Sequence, residues 1–267
     1  MLSENLLKLL YNVLSIIASV LCQQIFCFLL TTIFACVKII SLDKGLIMKN
    51  KIFSAVFGVA VFFFILSFSI GLPIYCRFFY YAQINALNLP EQTGYSFNQI
   101  KSAYDQMLNY LVLPNQTFST GVFKFNEQGA LHFKDCKVLF DINLIALICS
   151  SIILSLTLIL VKSKKITLCR PFNMSVSFVS ASAILIALLI IGVIVAIDFS
   201  SAFTVFHHIF FAGKDNWIFD PNQMEVIKIL PEQFFLNCAI LIGASILIIC
   251  LTIIIYQLYK RKNLPKR

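Results

Sequence analysis

The residues of this chain best suited to proton transfer are its three histidines, which occur at two places. His132 precedes a long apolar segment, and the adjacent His207 and His208 follow another. Imidazole has an unperturbed pKa near 6.5, so at neutral pH it can accept or donate a proton. Because both places adjoin apolar segments, we expect these groups to act on something lipid-like at one face of a membrane.

The composition is that of an integral membrane protein. Of the 267 residues, 60% are hydrophobic and 12% are charged, and the mean hydropathy is +0.90. A soluble domain has about 25% charged residues. The net charge of +9 lies mostly at the ends of apolar segments, which indicates topology signals and contact with anionic lipid. We therefore predict membrane lipid as a partner, and no nucleic acid.

Four segments are long and apolar enough to cross a bilayer as helices. They are Ile52–Pro73, Leu139–Val161, Ser175–Ile197 and Phe234–Tyr256. The predicted fold is an all-α polytopic membrane protein with a four-helix transmembrane bundle. Basic residues precede the first span, separate the second from the third and follow the fourth, which predicts a cytoplasmic C-terminus in the cell membrane. Segments 74–138 and 198–233 then face outward.

Residues 1–47 form a separate region ahead of the predicted four-span domain, 48–267. Residues 11–40 are apolar enough for an additional hydrophobic helix that spans the membrane. The alternative hypothesis is that the protein starts at Met48, because Met-Lys-Asn-Lys directly precedes the first predicted span. Both hypotheses are open on the sequence.

The first outward segment contains two predicted elements that form a small cap. Ser96 and Gln99 have the spacing of a capping box, and the apolar residues after them recur at helical intervals. This pattern predicts a short amphipathic helix on or near the membrane. Residues 118–125 and 130–133 flank a short turn that ends in Gly129, which predicts a β-hairpin with His132 on its second strand.

Few other residues have the pattern of a reactive centre. The sequence has no glycine-rich phosphate loop, serine nucleophile elbow or His-Glu-x-x-His pair, and three convincing metal ligands are not evident, so we predict no cofactor and no metal. Asp135 and Lys137 are interpreted as interfacial charges and Trp217 as an interface anchor, each with a supporting role at a site as the alternative. A disulfide between Cys76 and Cys136 is also open.

Two longer stretches resemble a known family. His132-Phe-Lys-Asp135-Cys-Lys137-Val-Leu-Phe is similar to one of its signatures, and the stretch from Phe206 through His207, His208, Trp217 and Asp220 to Phe235 is similar to another. The family is the lipoprotein intramolecular transacylase of Gram-positive bacteria. Cys136 stands where an aliphatic residue is expected, and Met224 stands where the family often has an acid.

The resemblance implies an acyltransferase that acts on a diacylated bacterial lipoprotein. The sn-2 acyl chain of its diacylglyceryl-cysteine moves onto the cysteine's own α-amino group, which leaves the lyso form. The resemblance implies His132 and His207 as the catalytic pair, with Asp135 orienting His132 and His208 in reserve. Two alternatives stay open on the sequence: a non-catalytic tetraspan protein that binds lipid or a partner, and a different membrane-surface acyl hydrolase or acyltransferase.

Overall fold

The computed structural model describes residues 46–263, and all of their regular secondary structure is helical. The predictions for residues 1–45 therefore lie outside the described residues. The eight α-helices are α1 (Leu46–Tyr75), α2 (Arg77–Ala86), α3 (Leu89–Thr93), α4 (Phe97–Val112), α5 (Glu127–Lys162), α6 (Val176–Ile197), α7 (Phe199–Phe210) and α8 (Glu232–Lys262). Short 3₁₀ helices cover Pro171–Asn173 and Glu225–Ile229.

The four predicted membrane spans are confirmed as helices. They correspond to α1, α5, α6 and α8, with only Ser175 lying outside its helix, and all four helices are long and apolar enough to cross a bilayer. In α6, isoleucine and leucine side chains such as Ile186 and Leu189 are more than half exposed, as expected of a surface that lipid covers. The chain is a multi-pass membrane protein.

The described residues divide into two compact units. One comprises Ile70–Leu144 and Asp198–Ile242, and it contains all three histidines. The other comprises residues 46–69, 145–197 and 243–263. In this second unit the side chain of Asn50 exchanges hydrogen bonds with Thr167, and the hydroxyl of Ser180 donates to the carbonyl of Gly58 at 3.0 Å.

The core of the histidine-containing unit is built on α4. The predicted capping box is present: Ser96 Oγ accepts from the Gln99 amide, and Gln99 Oε1 accepts from the Ser96 amide at 2.9 Å. The apolar face of α4 is buried inside the protein, not laid on lipid as the sequence suggested. Tyr104 on this face stacks on Tyr80 of α2, with ring centroids 3.7 Å apart, and the Tyr80 hydroxyl donates to the Ile229 carbonyl.

The predicted β-hairpin is wrong. Residues 118–125 contain no strand, and residues 130–133 belong to the first turns of α5, so His132 is helical. Asn126 Oδ1 accepts from the Gly129 amide at 2.8 Å, which is the bond of a helix N-cap and not of a hairpin turn. The backbone of Lys124 pairs instead with Glu225, whose amide donates to the Lys124 carbonyl at 2.9 Å.

Gly129 packs closely against the end of the Met224 side chain. A Cβ atom at residue 129 would lie 2.4 Å from Met224 Sδ, and the Met224 side chain is fully buried. The methionine that departs from the expected acid is therefore a packing residue of this unit. Its neighbour Glu225 supplies the polar contact, because one of its carboxylate oxygens accepts from the Lys124 amide at 3.0 Å.

We predict that Gly129→Ala destabilises the protein although alanine favours helix by about 1 kcal/mol over glycine. The added methyl group collides with buried Met224, and overpacking costs about 1–3 kcal/mol. Thermal unfolding in detergent measures the change. The double variant Gly129→Ala/Met224→Ala should recover stability relative to Met224→Ala alone, and additive losses would contradict the proposed collision.

Candidate active site

Two of the three histidines lie next to each other in this unit. His132 is on α5 and His207 is on α7, and their ring centroids are 5.8 Å apart with an interplanar angle of 27°. Both side chains are buried, with 6% and 9% of their surface exposed. The structure therefore brings together two titratable rings that are 75 positions apart in the sequence (207 minus 132).

His132 is surrounded by aromatic rings and one thiol. Its ring centroid lies 4.6 Å from that of Phe211 and 5.4 Å from that of Phe219. Nε2 is 3.4 Å from the Sγ of Cys136, one helical turn later on α5. Nδ1 is buried and has no hydrogen-bond partner among the described residues. Leaving such a group unpaired is costly, and a polar atom of a ligand in the cavity that His132 lines would satisfy it.

His207 has one ring nitrogen already engaged. Its Nδ1 lies 2.8 Å from the carbonyl oxygen of Phe203, the residue four positions earlier on α7. A carbonyl only accepts, so Nδ1 is the protonated nitrogen and the neutral ring keeps its lone pair on Nε2. Burial lowers the pKa of His207; the Phe203 carbonyl opposes this, and nearby His208 adds to it. A neutral ring with a free lone pair can act as a base.

Both rings line one apolar cavity of about 490 Å³. That volume lies within the range of about 300–1,000 Å³ typical of small-molecule sites. Apart from the histidines, the polar side chains in the wall include Tyr104, Trp217 and Glu232. The apolar wall includes Ile70, Pro73, Ile74, Met107, Leu108, Leu111, Phe133, Leu139, Phe140, Phe203, Phe206, Phe211, Phe219, Ile227, Leu230, Phe234, Phe235 and Ile242.

Asp135 joins α5 to the segment after α7 and does not bond to His132. One carboxylate oxygen accepts from Lys214 Nζ at 2.6 Å and the other from Asn216 Nδ2 at 3.0 Å. This segment carries Trp217, whose indole ring centroid is 4.9 Å from that of His207. Asp135 thus positions the residues that pack on His207. The expectation that it orients His132 directly is not supported by its hydrogen bonds.

The remaining predicted residues occupy different positions. Lys137 donates to the carbonyls of Tyr110 and Leu113 at 2.8 and 2.9 Å, which anchors the end of α4. His208 faces Trp217 edge-on, with centroids 5.0 Å apart, and it is not part of the cavity wall. Asp220 is exposed and accepts from the Asn222 amide in the turn before Met224. Trp217 contacts the rings of His207 and His208, so it is more than an interface anchor.

Comparison with known proteins assigns the family. The model of the lipoprotein intramolecular transacylase Lit matches residues 55–235, which contain both histidine segments and the whole cavity-lining region up to Phe235. The chain belongs to the Lit family. A comparison with curated proteins gave no match.

Solved Lit structures share the fold of this chain. The membrane-integral Lit of Bacillus cereus has a TM-score of 0.69 and 24% sequence identity, over 79% of this chain and 96% of that one. Two histidine variants of the same protein, one with arginine and one with alanine, both have TM-scores of 0.63 and 24% identity. These matches cover 79% of this chain, and 92% and 94% of the respective variants. At this identity the similarity shows the fold.

The described part of this Lit family member contains neither a cluster of metal ligands nor the Cys76–Cys136 disulfide. There, no group of three His, Cys, Asp or Glu side chains is arranged to hold a metal ion. Cys76 and Cys136 are free thiols, and Cys136 contacts His132 instead. Sequence reasoning missed the carbonyl of Phe203 and the thiol of Cys136 as partners of the rings. The i, i+4 spacing of each pair would have identified them, had both segments been read as helices.

We predict that the fluorescence of Trp217, the single tryptophan, reports the protonation of His207. A protonated imidazole quenches a neighbouring indole, so emission should fall as pH decreases, with a midpoint below 6.5 because burial lowers the pKa of His207. Because the His208 ring centroid is also 5.0 Å from that of the indole, the titration is measured on His208→Gln, where adding His207→Gln should remove the transition. A midpoint at or above 6.5, or an unchanged curve in the double variant, would contradict this assignment.

Proposed function

We propose that this protein catalyses O-to-N acyl transfer within a diacylated bacterial lipoprotein. The sn-2 ester of the diacylglyceryl-cysteine is the donor, and the α-amino group of that cysteine is the acceptor. The products are an N-acyl group and a free sn-2 hydroxyl, the lyso form. The observation that carries the proposal is the pair of imidazoles, 5.8 Å apart, in the wall of an apolar cavity.

The reaction needs a base, whereas the substrate itself supplies both the acyl donor and the acceptor amine. An α-amino group has a pKa of about 7.7–8.0, so at neutral pH most of it is protonated and cannot attack. The attacking amine carries a proton that must be removed as the C–N bond forms. Conversion of an ester into an amide is downhill because the amide gains resonance. Two positioned imidazoles can supply proton transfer and stabilise the charge on the carbonyl oxygen.

The cavity supplies apolar contacts and proximity. Its phenylalanine, leucine and isoleucine side chains match the chemistry of an acyl chain, and the histidines lie in the same wall. Donor and acceptor belong to one molecule, so a site that holds the lipid folded back on itself converts binding into rate.

The charge distribution supports a site on the extracytoplasmic side. Lys162 ends α5, three more basic residues lie in the connection to α6, and another three end α8. Those in the connection are Lys164, Lys165 and Arg170, and those at the end of α8 are Lys260, Arg261 and Lys262. Under the positive-inside rule these ends are cytoplasmic, as is the C-terminus. The opposite ends of the same helices, where α5 carries His132, then reach the outer leaflet, where lipidated cysteines are anchored.

We predict that His132→Ala and His207→Ala each lower formation of the lyso form by about 10²–10⁴-fold, the usual contribution of a positioned acid or base. Mass spectrometry of lipoprotein N-terminal peptides from a host expressing each variant measures the product. His208→Ala is the matched control, because its ring is outside the cavity wall. Unchanged lyso form in either test variant would exclude that histidine from the reaction.

The same spectra distinguish the alternatives. A lipid-binding protein without activity would give only the diacyl form in every variant, including wild type. An acyl hydrolase would release fatty acid without the matching N-acyl peptide. Either result would overturn the proposed transfer.

A further inference from the structure

We propose that Cys136 is a positioning residue that fixes the tautomer of His132 and makes this ring a hydrogen-bond donor toward the substrate. The inference rests on the proposed function, because it assigns different tasks to the two histidines. It is carried by two observations at the same ring. Cys136 Sγ lies 3.4 Å from Nε2, and Nδ1 is buried with no partner among the described residues.

The direction of the thiol–imidazole bond follows from the strengths of the groups. Sulfur is a weak acceptor, whereas the lone pair of a neutral imidazole is a good one. A thiol with an ordinary pKa near 8.5 carries its proton at neutral pH, and an apolar wall favours that neutral form. The stronger arrangement therefore has the Cys136 S–H donating to Nε2. The ring proton of His132 then lies on Nδ1.

The two rings thereby present opposite groups for the reaction. His207 donates its Nδ1 proton to the Phe203 carbonyl at 2.8 Å, so its second nitrogen, Nε2, has a lone pair. His132 Nε2 accepts a hydrogen bond from the Cys136 thiol, so its second nitrogen, Nδ1, has an N–H. Each arrangement uses a residue four positions away on the ring's own helix. Two chemically identical side chains thus have different tasks: His207 is the base, and His132 is the hydrogen-bond donor.

This division of tasks balances the acyl transfer. The amine nitrogen attacks the ester carbon, and His207 Nε2 takes the proton that the nitrogen loses. The negative charge that develops on the carbonyl oxygen is stabilised by the Nδ1–H of His132, which donates a hydrogen bond and keeps its proton. The C–O bond to glycerol then breaks, and the protonated His207 returns its proton to the glycerol oxygen. Neutral imidazoles serve as such electrophilic donors in other enzymes.

The direct test is the ring tautomer, measured by ¹⁵N NMR of histidine-labelled protein in detergent. The chain has only three histidines, so His132→Gln, His207→Gln and His208→Gln assign every ring signal. In wild type, His132 should carry its proton on Nδ1. Cys136→Val, which has no donor, should shift the proton toward Nε2, whereas Cys136→Ser keeps a donor and should retain the Nδ1 form.

Activity provides the second readout. Cys136→Val should lower kcat for lyso-form production roughly 2- to 10-fold, the effect expected of one lost hydrogen bond, with KM nearly unchanged. Cys136→Ser should restore most of kcat. Cys149→Val is the matched control, because it removes a thiol from the same helix outside the cavity wall. It should alter neither tautomer nor rate.

Three results would overturn the inference: a wild-type His132 that carries its proton on Nε2, a Cys136→Val protein with an unchanged tautomer, or equal loss of kcat in the valine and serine variants. Failure of the proposed function looks different. In that case wild type produces no lyso form, while the NMR measurement still decides whether Cys136 sets the tautomer.

Discussion

The site depends on the hydrogen bonds of the Asp135 carboxylate. Asp135 is one turn after His132 on α5, and it accepts from Lys214 and Asn216 in the segment that follows α7. That segment brings Trp217 onto the ring of His207. The carboxylate is partly exposed, so the ion pair with Lys214 keeps some hydration. Its two hydrogen bonds join the helix of His132 to the segment that packs on His207.

Burial then decides the chemistry of the rings. An imidazolium in an apolar wall would lose its hydration, so a buried ring is neutral over most of the physiological pH range. A neutral ring has one donor and one acceptor nitrogen, and which is which depends on its fixed neighbours. For His207 the neighbour is the Phe203 carbonyl, reached within one turn of α7. Helical spacing therefore controls the protonation pattern as well as the position of the side chain.

Much of the fold could be predicted from the sequence, because apolar length and capping are local signals. The four spans and the capping box at Ser96 are of this kind. The sequence at the start of α5 does not distinguish a hairpin from a helix, because Asn126 and Gly129 suit both a turn and a helix start. In the structure Gly129 packs on Met224, which is 95 positions later (224 minus 129), a contact that no local pattern reveals. The histidines could be selected by chemical type, but their partners depend on which segments are helical.

Met224 and Glu225 have different tasks beside the first turn of α5. An acid here would have to be buried beside the first turn of α5, with its charge in the core. The methionine fills that space against Gly129, and the adjacent Glu225 supplies the carboxylate that accepts from the Lys124 amide. The packing and the polar contact are divided between two consecutive residues.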